Sequence, residues 1–505
     1  MGKAKKNLVF SFISEALIFA VGFIIPRLFV LTYGSETNGL FNSTNQLLQY
    51  LAIFEAGIGS VMLKELYKPI VEKDKDSIRK VYFTGRDYYQ RVSWLYLAGL
   101  FIICVVYSLV IKSSIPSWKV FLVVLFSGLS NVLVFFFVSS KSYLINADGN
   151  YYFVAIMTLL VRLLNYGVQI VAVLLKADIV VIKGAGLLVT LFNIIGYNAY
   201  FNKHYKYINS GERVVERELF HDRKYYMQHQ VANLAFSATD TVLLTFACGL
   251  NSVSIYSVYN MVVNGLMQIL NVIVNSLTYI LGQSYAKGKE YYCRVHDAFK
   301  MGYMILGFTF GTTAFLLYIP FIRMYIGNAD INYEYKGLAF LFSLIFILNS
   351  TRRIDNQLAS IAGYAKETLP QVYIELGTNV FVSVCLVFFI DIYGVLIGTA
   401  AAILYRYFSS CWFNEKNILN RKIINGFKYS IVNYVVFFCF VLLSQVFEPS
   451  FNSVLGFIWY GFIVILIVGG CYIGANAIIF KKDFISLIHF ARGTIGGRRG
   501  RNNAV

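Results

Sequence analysis

Long apolar segments separated by short polar or basic stretches account for most of the chain. They form two series of six and a final pair, and most are long enough to cross the roughly 30 Å hydrocarbon core of a bilayer as helices. The segments cover residues 7–32, 39–63, 93–112, 118–147, 150–176, 180–202, 226–248, 252–282, 300–325, 337–361, 369–390, 393–414, 428–447 and 454–480. This pattern predicts an all-α polytopic membrane protein with about 14 transmembrane helices.

The segment 252–282 carries a stripe of polar side chains within an otherwise apolar sequence. Their spacing of three or four residues places them on one face of a helix. The stripe consists of Ser257, Asn260, Asn264, Gln268, Asn271 and Asn275. Lipid would not tolerate such a face, so we expect it to line a substrate cavity. The alternative is that these side chains join neighbouring helices through hydrogen bonds.

Positive charge recurs in alternate loops and decides the predicted orientation. The chain is 58% hydrophobic and only 14% charged, with a net charge of +18. The basic clusters lie at residues 3–6, 64–91, 203–224, 287–300 and 416–428 and in the tail 481–505. The positive-inside rule makes these loops and both termini cytoplasmic. The sequence has no soluble basic domain, so we expect no nucleic-acid partner, whereas the tail is expected to contact anionic membrane lipids.

The two series of six segments look like copies of one unit. Gly34 aligns with Gly249 and Asn165 with Asn379, at offsets of 215 (249 − 34) and 214 (379 − 165) residues. Because six is even, both copies enter the membrane in the same sense, as a parallel repeat with a groove between the halves. The predicted domains are six-helix bundles at 1–210 and 211–425, transmembrane helices 13 and 14 at 426–480, and a basic cytoplasmic tail at 481–505.

If the repeat holds, the second segment should share the amide face of the eighth. At helical spacing it carries Asn42, Asn45, Gln46 and Gln49. Amides suit sugar hydroxyls because they both donate and accept hydrogen bonds without the desolvation cost of a full charge. We therefore expect the two amide faces to line one cavity.

Three stretches resemble those of a known family. GLFNSTNQLLQYLAIFEAGIG, TDTVLLTFACGLNSVSIYSVYN and YGVLIGTAAAI are similar to stretches of bacterial polysaccharide-biosynthesis flippases, a branch of the multidrug/oligosaccharidyl-lipid/polysaccharide exporter superfamily. The resemblance implies two six-helix bundles around a central cavity, two C-terminal helices and alternating access. It also implies export of undecaprenyl-pyrophosphate-linked oligosaccharide units for O-antigen, capsule or exopolysaccharide in the bacterial cytoplasmic membrane, alongside polysaccharide assembly machinery.

Cations within the apolar segments are candidates for binding a pyrophosphate or for gating. They are Arg27, Arg162, Arg352, Arg353 and, less centrally, Lys141. A guanidinium suits a pyrophosphate because its planar donors engage two oxygens together. For Lys141, Arg352 and Arg353 the alternative is that the side chain extends to the cytoplasmic interface.

Acids within the segments are candidates for gating or ion coupling. The repeat places Asp240 opposite residue 25, two positions from Arg27, and we predict that Asp240 and Arg27 form an outer ion pair when the carrier opens inward. The alternative is that each charge is satisfied within its own bundle. Glu15, Glu55 and Asp240 are the candidate sites for H⁺ or Na⁺ as the coupling ion.

Motifs for enzymatic chemistry are missing from the sequence. It contains no Walker phosphate loop and no HExxH spacing, so we expect no cofactor and no metal site. The seven cysteines lack metal-ligand spacing and are expected to be free thiols. The leading hypothesis is therefore a flippase for lipid-linked oligosaccharides. The alternatives are a multidrug or small-molecule cation antiporter of the same superfamily and, less favoured, a membrane polysaccharide polymerase or ligase.

Overall fold

The structure is a computed structural model in which helices make up nearly all of the described chain. It describes residues 24–55, 58–111, 113–210, 212–216, 223–286, 289–327, 329–362, 364, 367–444, 451 and 453–495. Contacts divide the chain into two units, Met1–Ser257 with Asn328–Ile331, and Val258–Gly327 with Asn332–Val505. The division falls within one helix, whereas the sequence repeat places a boundary after residue 210. The repeat-based domain limits stay predictions.

The first unit contains ten complete helices among its described residues and the start of an eleventh. They are α1 (Ile24–Tyr33), α2 (Ser35–Leu51), α3 (Ile58–Glu72), α4 (Lys75–Val110), α5 (Ser117–Phe137), α6 (Ser139–Ala147), α7 (Tyr151–Leu174), α8 (Ile179–His204), α9 (Lys206–Asn209) and α10 (Arg223–Ala247). Helix α5 packs between α4 and α8, α3 packs on α4 and α6, and α2 packs on α10.

The second unit contains most of α11 and seven further helices among its described residues. They are α11 (Leu250–Ala286), α12 (Lys289–Ile326), α13 (Lys336–Ile361), α14 (Leu369–Ile390), α15 (Ile392–Phe413), α16 (Ile424–Leu443), α17 (Val454–Ile479) and α18 (Lys481–Ile495). Helix α15 packs against both α14 and α13, while α12 contacts α13, α16, α17 and α18.

Local polar groups explain where several helices begin. The Asp74 carboxylate accepts from the backbone N–H groups of Asp76 and Ser77 at the start of α4, at 3.0 and 3.1 Å. At the start of α2, the Asp330 carboxylate accepts from the backbone N–H of Ser35 at 2.9 Å. Such carboxylates satisfy N–H groups that have no partner within the helix and interact favourably with its dipole.

The all-α, multi-pass architecture predicted from the hydropathy pattern is confirmed. Eleven helices of the described chain are long and apolar enough to span a membrane. Helix α14 has the predicted limits of 369–390, and α7, α8, α15 and α17 differ from prediction by no more than about two residues at either end. The total of 14 spans and the cytoplasmic position of the termini stay predictions.

Two predicted continuous segments are interrupted. The segment 39–63 is divided into α2, a 3₁₀ turn at Ala52–Glu55 and α3. The segment 118–147 is divided into α5 and α6, with Val138 between them at φ −112° and ψ −46°. Neither break has a proline to mark it, and Glu55 is a single acid within the first, so the apolar pattern of the sequence continues through both. The break after α2 places Glu55 at the end of a tight turn.

The predicted repeat offset reappears in the backbone conformation. Gly34 and Gly249, which the sequence aligns, have φ of 84° and 88°. Lys176 and Asp391 lie at the same offset of 215 (391 − 176) and have φ of 51° and 53°. Positive φ is rare for residues other than glycine. Its recurrence at corresponding positions supports the internal repeat with evidence that residue identity did not provide.

Candidate functional site

Asn38 joins α2 to the first turns of α11 within the first unit. Its Nδ2 donates to Ser254 Oγ at 2.8 Å and to Ser257 Oγ at 3.2 Å, and Asn38 is buried. Gly39 makes the approach possible, because a Cβ there would lie 1.9 Å from the backbone oxygen of Leu250. Ser257, a predicted cavity residue, thus has a helix-joining hydrogen bond. Asn38 belongs to the same polar face but was not among the predicted site residues.

The predicted amides of α2 differ in their surroundings. Asn42 Nδ2 donates to the backbone oxygen of Asn38 at 2.9 Å, one turn earlier on its own helix. Asn45 is exposed, and Gln46 and Gln49 are half-buried. Gln46 Oε1 is buried without a hydrogen-bond partner. After Asn42, therefore, the polar side chains Asn45, Gln46 and Gln49 of α2 form no hydrogen bond to another helix in the described structure.

The amide side chains of α11 in the second unit are the ones most accessible for binding a ligand. Asn264 and Gln268 are exposed and Asn260 is half-buried, and none of the three has a hydrogen bond within the described residues. Asn271 Oδ1 is buried without a partner. The Asn275 side chain lies outside the described residues. Ser257 in the first turns of α11 thus forms a hydrogen bond between helices, whereas Asn264 and Gln268 form none in the described structure.

The proposed outer pair of Arg27 and Asp240 lies in the first unit. Arg27 is exposed on α1, directly after Pro26. Asp240 on α10 is 5% exposed, and its Oδ2 accepts from the Tyr256 hydroxyl at 3.1 Å. Asp240 therefore has a partner in its own unit, as the alternative expects. The ion pair with Arg27 stays a prediction.

Arg352 lies in a three-helix charge cluster of the second unit. Its guanidinium donates to the Glu375 carboxylate of α14 and to Asn349 Oδ1, the latter at 2.8 Å from Nη2. Arg406 of α15 approaches the same carboxylate at 3.8 Å and donates to Gln371 Oε1 at 3.0 Å. Two guanidinium groups thus approach one buried carboxylate. Neither Glu375 nor Arg406 was predicted.

The other predicted intramembrane cations have separate surroundings. Arg353 and Arg162 are exposed on α13 and α7. Lys141 on α6 donates to the backbone oxygen of Phe137 at 3.0 Å and to Asn198 Oδ1. Their roles in binding or gating stay predictions.

Further acids of the second unit are neutralised by cations. Lys300 Nζ lies 2.7 Å from the Asp355 carboxylate, and both residues are 1% exposed. Arg421 bridges two carboxylates, Asp297 at 2.7 and 3.0 Å and Glu415 at 2.6 and 3.0 Å. These clusters resemble structural ion pairs, because each charge has its counter-charge within hydrogen-bond distance.

Lys183 on α8 is a cation that the sequence reasoning did not select as a site residue. Its Nζ lies 4.1 Å from the ring centroid of Phe41 on α2, and no ion pair involves it within the described residues. A lysine in an apolar run was the available signal.

Glu55 is the candidate coupling acid that the structure describes most fully. Its Oε1 accepts from the Tyr89 hydroxyl at 2.8 Å and from the Tyr143 hydroxyl at 3.4 Å. Glu15 lies outside the described residues. The described chain contains no group of three metal-ligating side chains, and its cysteines are free, with Cys104 and Cys411 buried.

The architecture places this multi-pass chain among proteins with a transporter or flippase fold. A multidrug resistance MATE family transporter of the MOP superfamily, inward-facing, matches with a TM-score of 0.64 and 14% identity, over 82% of this chain and 98% of that chain. The lipid II flippase MurJ, in an inward closed conformation, matches with a TM-score of 0.65 and 14% identity, over 92% of this chain and 98% of that chain.

A third neighbour has the same fold with a bound compound. This structure, a complex of the MATE multidrug transporter DinF-BH, matches with a TM-score of 0.57 and 12% identity, over 82% of this chain and 95% of that chain. No family model and no curated protein matches the sequence. At such identities the likeness shows the fold, which the MATE transporters and the lipid II flippase MurJ share.

Proposed function

We propose that the protein is a flippase that moves undecaprenyl-pyrophosphate-linked oligosaccharide units from the cytoplasmic to the outer leaflet of the bacterial cytoplasmic membrane. It works by alternating access coupled to an ion gradient, and supplies O-antigen, capsule or exopolysaccharide assembly. The proposed substrate class is the one implied by the sequence resemblance to polysaccharide-biosynthesis flippases. Its direct support within the molecule comes from the polar groups of the spans.

The observation that carries the proposal is the pair Asn264 and Gln268. Both are exposed on a membrane-length helix and have no hydrogen bond within the described residues. Two such amides in lipid would be costly, whereas in a wet cavity they offer donors and acceptors to sugar hydroxyls. Asn260, half-buried on the same face, extends this surface by about one turn.

Cations within the spans suit the pyrophosphate of such a substrate. Lys183 has an aromatic contact and no counter-charge in the described structure. Within the second unit, Arg352 and Arg406 both approach the Glu375 carboxylate, which brings two guanidinium groups close together. Cations away from bulk water interact strongly with phosphate oxygens.

The same observations disfavour the second candidate, an antiporter for cationic drugs. Such a site needs carboxylates available to the drug. The described acids Asp355, Glu375 and Asp297 have cationic partners, and Asp240 and Glu55 accept hydrogen bonds from tyrosine hydroxyl groups. The fold fits both candidates, because MATE transporters are among its structural neighbours. The choice therefore depends on the polar groups rather than on the fold.

Deletion of the protein from its host tests the proposal most directly. A lipid-linked oligosaccharide should accumulate in the cytoplasmic leaflet, where an added cytoplasmic-side glycosidase digests it. An unchanged pool of intermediates together with altered drug sensitivity would instead establish the antiporter.

Variants connect that phenotype to the site. Asn264→Leu with Gln268→Leu should lower complementation at least about tenfold, since each lost hydrogen bond to substrate is worth about 1 kcal/mol. Lys183→Met should lower it while Lys183→Arg retains most of it. The matched control is Ile269→Leu, an exposed apolar position on the same helix. Full complementation by the double amide variant would remove the amide face from the substrate path.

A further inference from the structure

The short 3₁₀ turn between α2 and α3 carries a carboxyl group with an unusual set of partners. Glu55 ends the turn Ala52–Glu55 and is half-buried. Its hydrogen bonds come from Tyr89 on α4 and Tyr143 on α6, both uncharged donors. No cation pairs with Glu55 within the described residues. This distinguishes it from Asp355, Glu375 and Asp297.

The two tyrosines are held firmly around the carboxyl group. Tyr89 is fully buried, and its ring stacks on that of Tyr143 with centroids 6.0 Å apart and an interplanar angle of 14°. Gly59 on α3 fixes Tyr143 from the other side, because a Cβ there would lie 2.1 Å from Tyr143 Cζ. These contacts hold the two rings in place, so that both hydroxyl groups point at Glu55.

Charged groups on the surrounding helices have other partners or positions. On α4, Asp87 pairs with Arg91 at 3.1 Å, and Arg86 lies one turn before Tyr89. On α6, Lys141 lies two residues before Tyr143, on a different helical face, and donates to Phe137 and Asn198.

The two remaining neighbours of the turn add no counter-charge. On α10, the acid among the described side chains is Asp240, which accepts from Tyr256. On α2, the neighbouring polar residues Gln46 and Gln49 are neutral. Among the described side chains around the turn, Glu55 therefore has tyrosine hydroxyl groups as its hydrogen-bond partners and no ion pair.

We propose that Glu55, held by Tyr89 and Tyr143, is a proton-binding site that couples transport to the proton gradient. The coupling role rests on the proposed function, whereas proton binding itself does not. Low-dielectric surroundings without a cation disfavour the charged form of a carboxyl group. A hydroxyl both donates and accepts, so the tyrosines satisfy either form. Ionised Glu55 accepts from both, and protonated Glu55 donates to one while it accepts from the other.

Binding and release need only a proton from water. The proton adds to a carboxylate oxygen of Glu55, no other bond breaks, and its release returns it to water. The position of the site gives the exchange a structural effect, because Glu55 lies where α2 and α3 meet. A change in the hydrogen bonds from Glu55 to Tyr89 of α4 and Tyr143 of α6 therefore alters the contacts of the 3₁₀ turn that connects α2 to α3.

Infrared difference spectroscopy of the full-length protein in lipid nanodiscs tests proton binding without any substrate. Wild type should show the carbonyl band of a protonated carboxylic acid that titrates with pH, and Glu55→Gln should lose it. Glu36→Gln, which alters a carboxylate bound to Ser114 at a solvent-exposed contact, should keep it. Tyr89→Phe removes a donor that favours the carboxylate and should raise the midpoint by about one pH unit.

Three outcomes would overturn the inference. The first is a titrating band that survives in Glu55→Gln, and the second is an unchanged midpoint in Tyr89→Phe, which stays informative if Glu55→Gln fails to fold. The third is a midpoint that falls when sodium replaces choline at equal ionic strength, which would identify Na⁺ as the ligand.

Transport separates this inference from the proposed function. In proteoliposomes with a fluorescent undecaprenyl-pyrophosphate sugar, a pH gradient should accelerate translocation by the wild type and not by Glu55→Gln. Equal acceleration of both would overturn the coupling role. No translocation by the wild type, with the band still titrating, would overturn the flippase and leave the proton site in place.

Discussion

Lys176 and Asp391, 215 positions apart, share a left-handed backbone conformation, with φ of 51° and 53°. Each precedes a helix that packs on the helix before it, α8 on α7 and α15 on α14. Both turns between consecutive helices therefore contain a residue with positive φ. The side chains differ, so the two turns share this backbone feature rather than a residue type.

Replacement of Asp391 by glycine should stabilise the protein. At φ 53° and ψ −131°, a residue with a Cβ is strained, and the carboxylate caps nothing, since it accepts no hydrogen bond from α15. We expect Asp391→Gly to raise the free energy of unfolding by about 1 kcal/mol. Denaturant titration in mixed micelles measures this. Asp391→Ala keeps the Cβ and should show no gain; equal stabilisation by both would contradict the strain argument.

Removal of Arg421 should strongly destabilise the second unit. Burial alone would lower the pKa of Arg421, but its bonds to Glu415 and Asp297 raise it, so it stays charged. Arg421→Met would leave the buried Glu415 carboxylate without its cation and Asp297 with Lys428, 3.3 Å away, at a cost of about 3 kcal/mol. The adjacent Lys422→Met, exposed, is the matched control and should change stability by less than about 0.5 kcal/mol.

Neutralising the carboxylates should rescue that loss. Combining Arg421→Met with Asp297→Asn and Glu415→Gln removes the two carboxylate charges that Arg421 balances, so thermal unfolding in nanodiscs should return towards wild type. A triple variant as unstable as Arg421→Met would show that packing, rather than charge, is what Arg421 supplies.

Asn38 and Asn264 should respond to truncation in opposite ways. Asn38→Ala removes the hydrogen bonds that join α2 to α11 and should lower the free energy of unfolding by about 1 kcal/mol. Asn264→Ala breaks no described hydrogen bond and should leave stability unchanged while it lowers complementation in the host. Measuring both properties on both variants is the test. Loss of stability in Asn264→Ala would favour the helix-joining role for it as well.

The ion pair of Glu334 and Arg323 should make stability depend on acid pH. A bidentate hydrogen bond from Arg323, with oxygen–nitrogen distances of 2.7 to 3.2 Å, lowers the pKa of Glu334 below its ordinary 4.5. The stabilisation is fully present above 4.5 and is lost as pH falls through the lowered value. Solvent screening limits it to about 0.5 kcal/mol.

Comparison of wild type with Glu334→Gln across pH measures this contribution. The difference in thermal midpoint should be present at neutral pH, vanish in acid and shrink with added salt. A difference that persists unchanged in acid would mean that the glutamine disturbs something other than the charge pair.

The positions of many helices could be predicted from the sequence, because hydropathy and turn residues depend on neighbouring positions in the chain. Segment 369–390 was predicted to the residue, and the amide faces were recognised from spacing alone. Partners could not be predicted in the same way, since they depend on packing between helices. Asn38 and Asn264 are chemically identical and lie on faces of the same kind, yet one is buried in a junction and the other is exposed.

Breaks within helices were missed for a related reason. The 3₁₀ turn Ala52–Glu55 lies in a largely apolar stretch of sequence. After it, α3 begins as a separate helix, with Gly59 packed on Tyr143. Likewise, Glu375 was not selected because a single acid near a segment start resembles an interfacial residue. Its importance depends on Arg352 and Arg406, which come from two other helices.

The polar face of α11 also affects how the protein is made. Within residues 250–271 of α11, where the amides lie, the most apolar 18-residue stretch has a mean hydropathy of 1.2, against 2.5 for α5. A nascent segment so weakly apolar partitions poorly from the translocon into lipid by itself. Its integration during synthesis therefore depends on neighbouring spans, and substitutions that add polarity to this face will reduce the yield of inserted protein before they alter its activity.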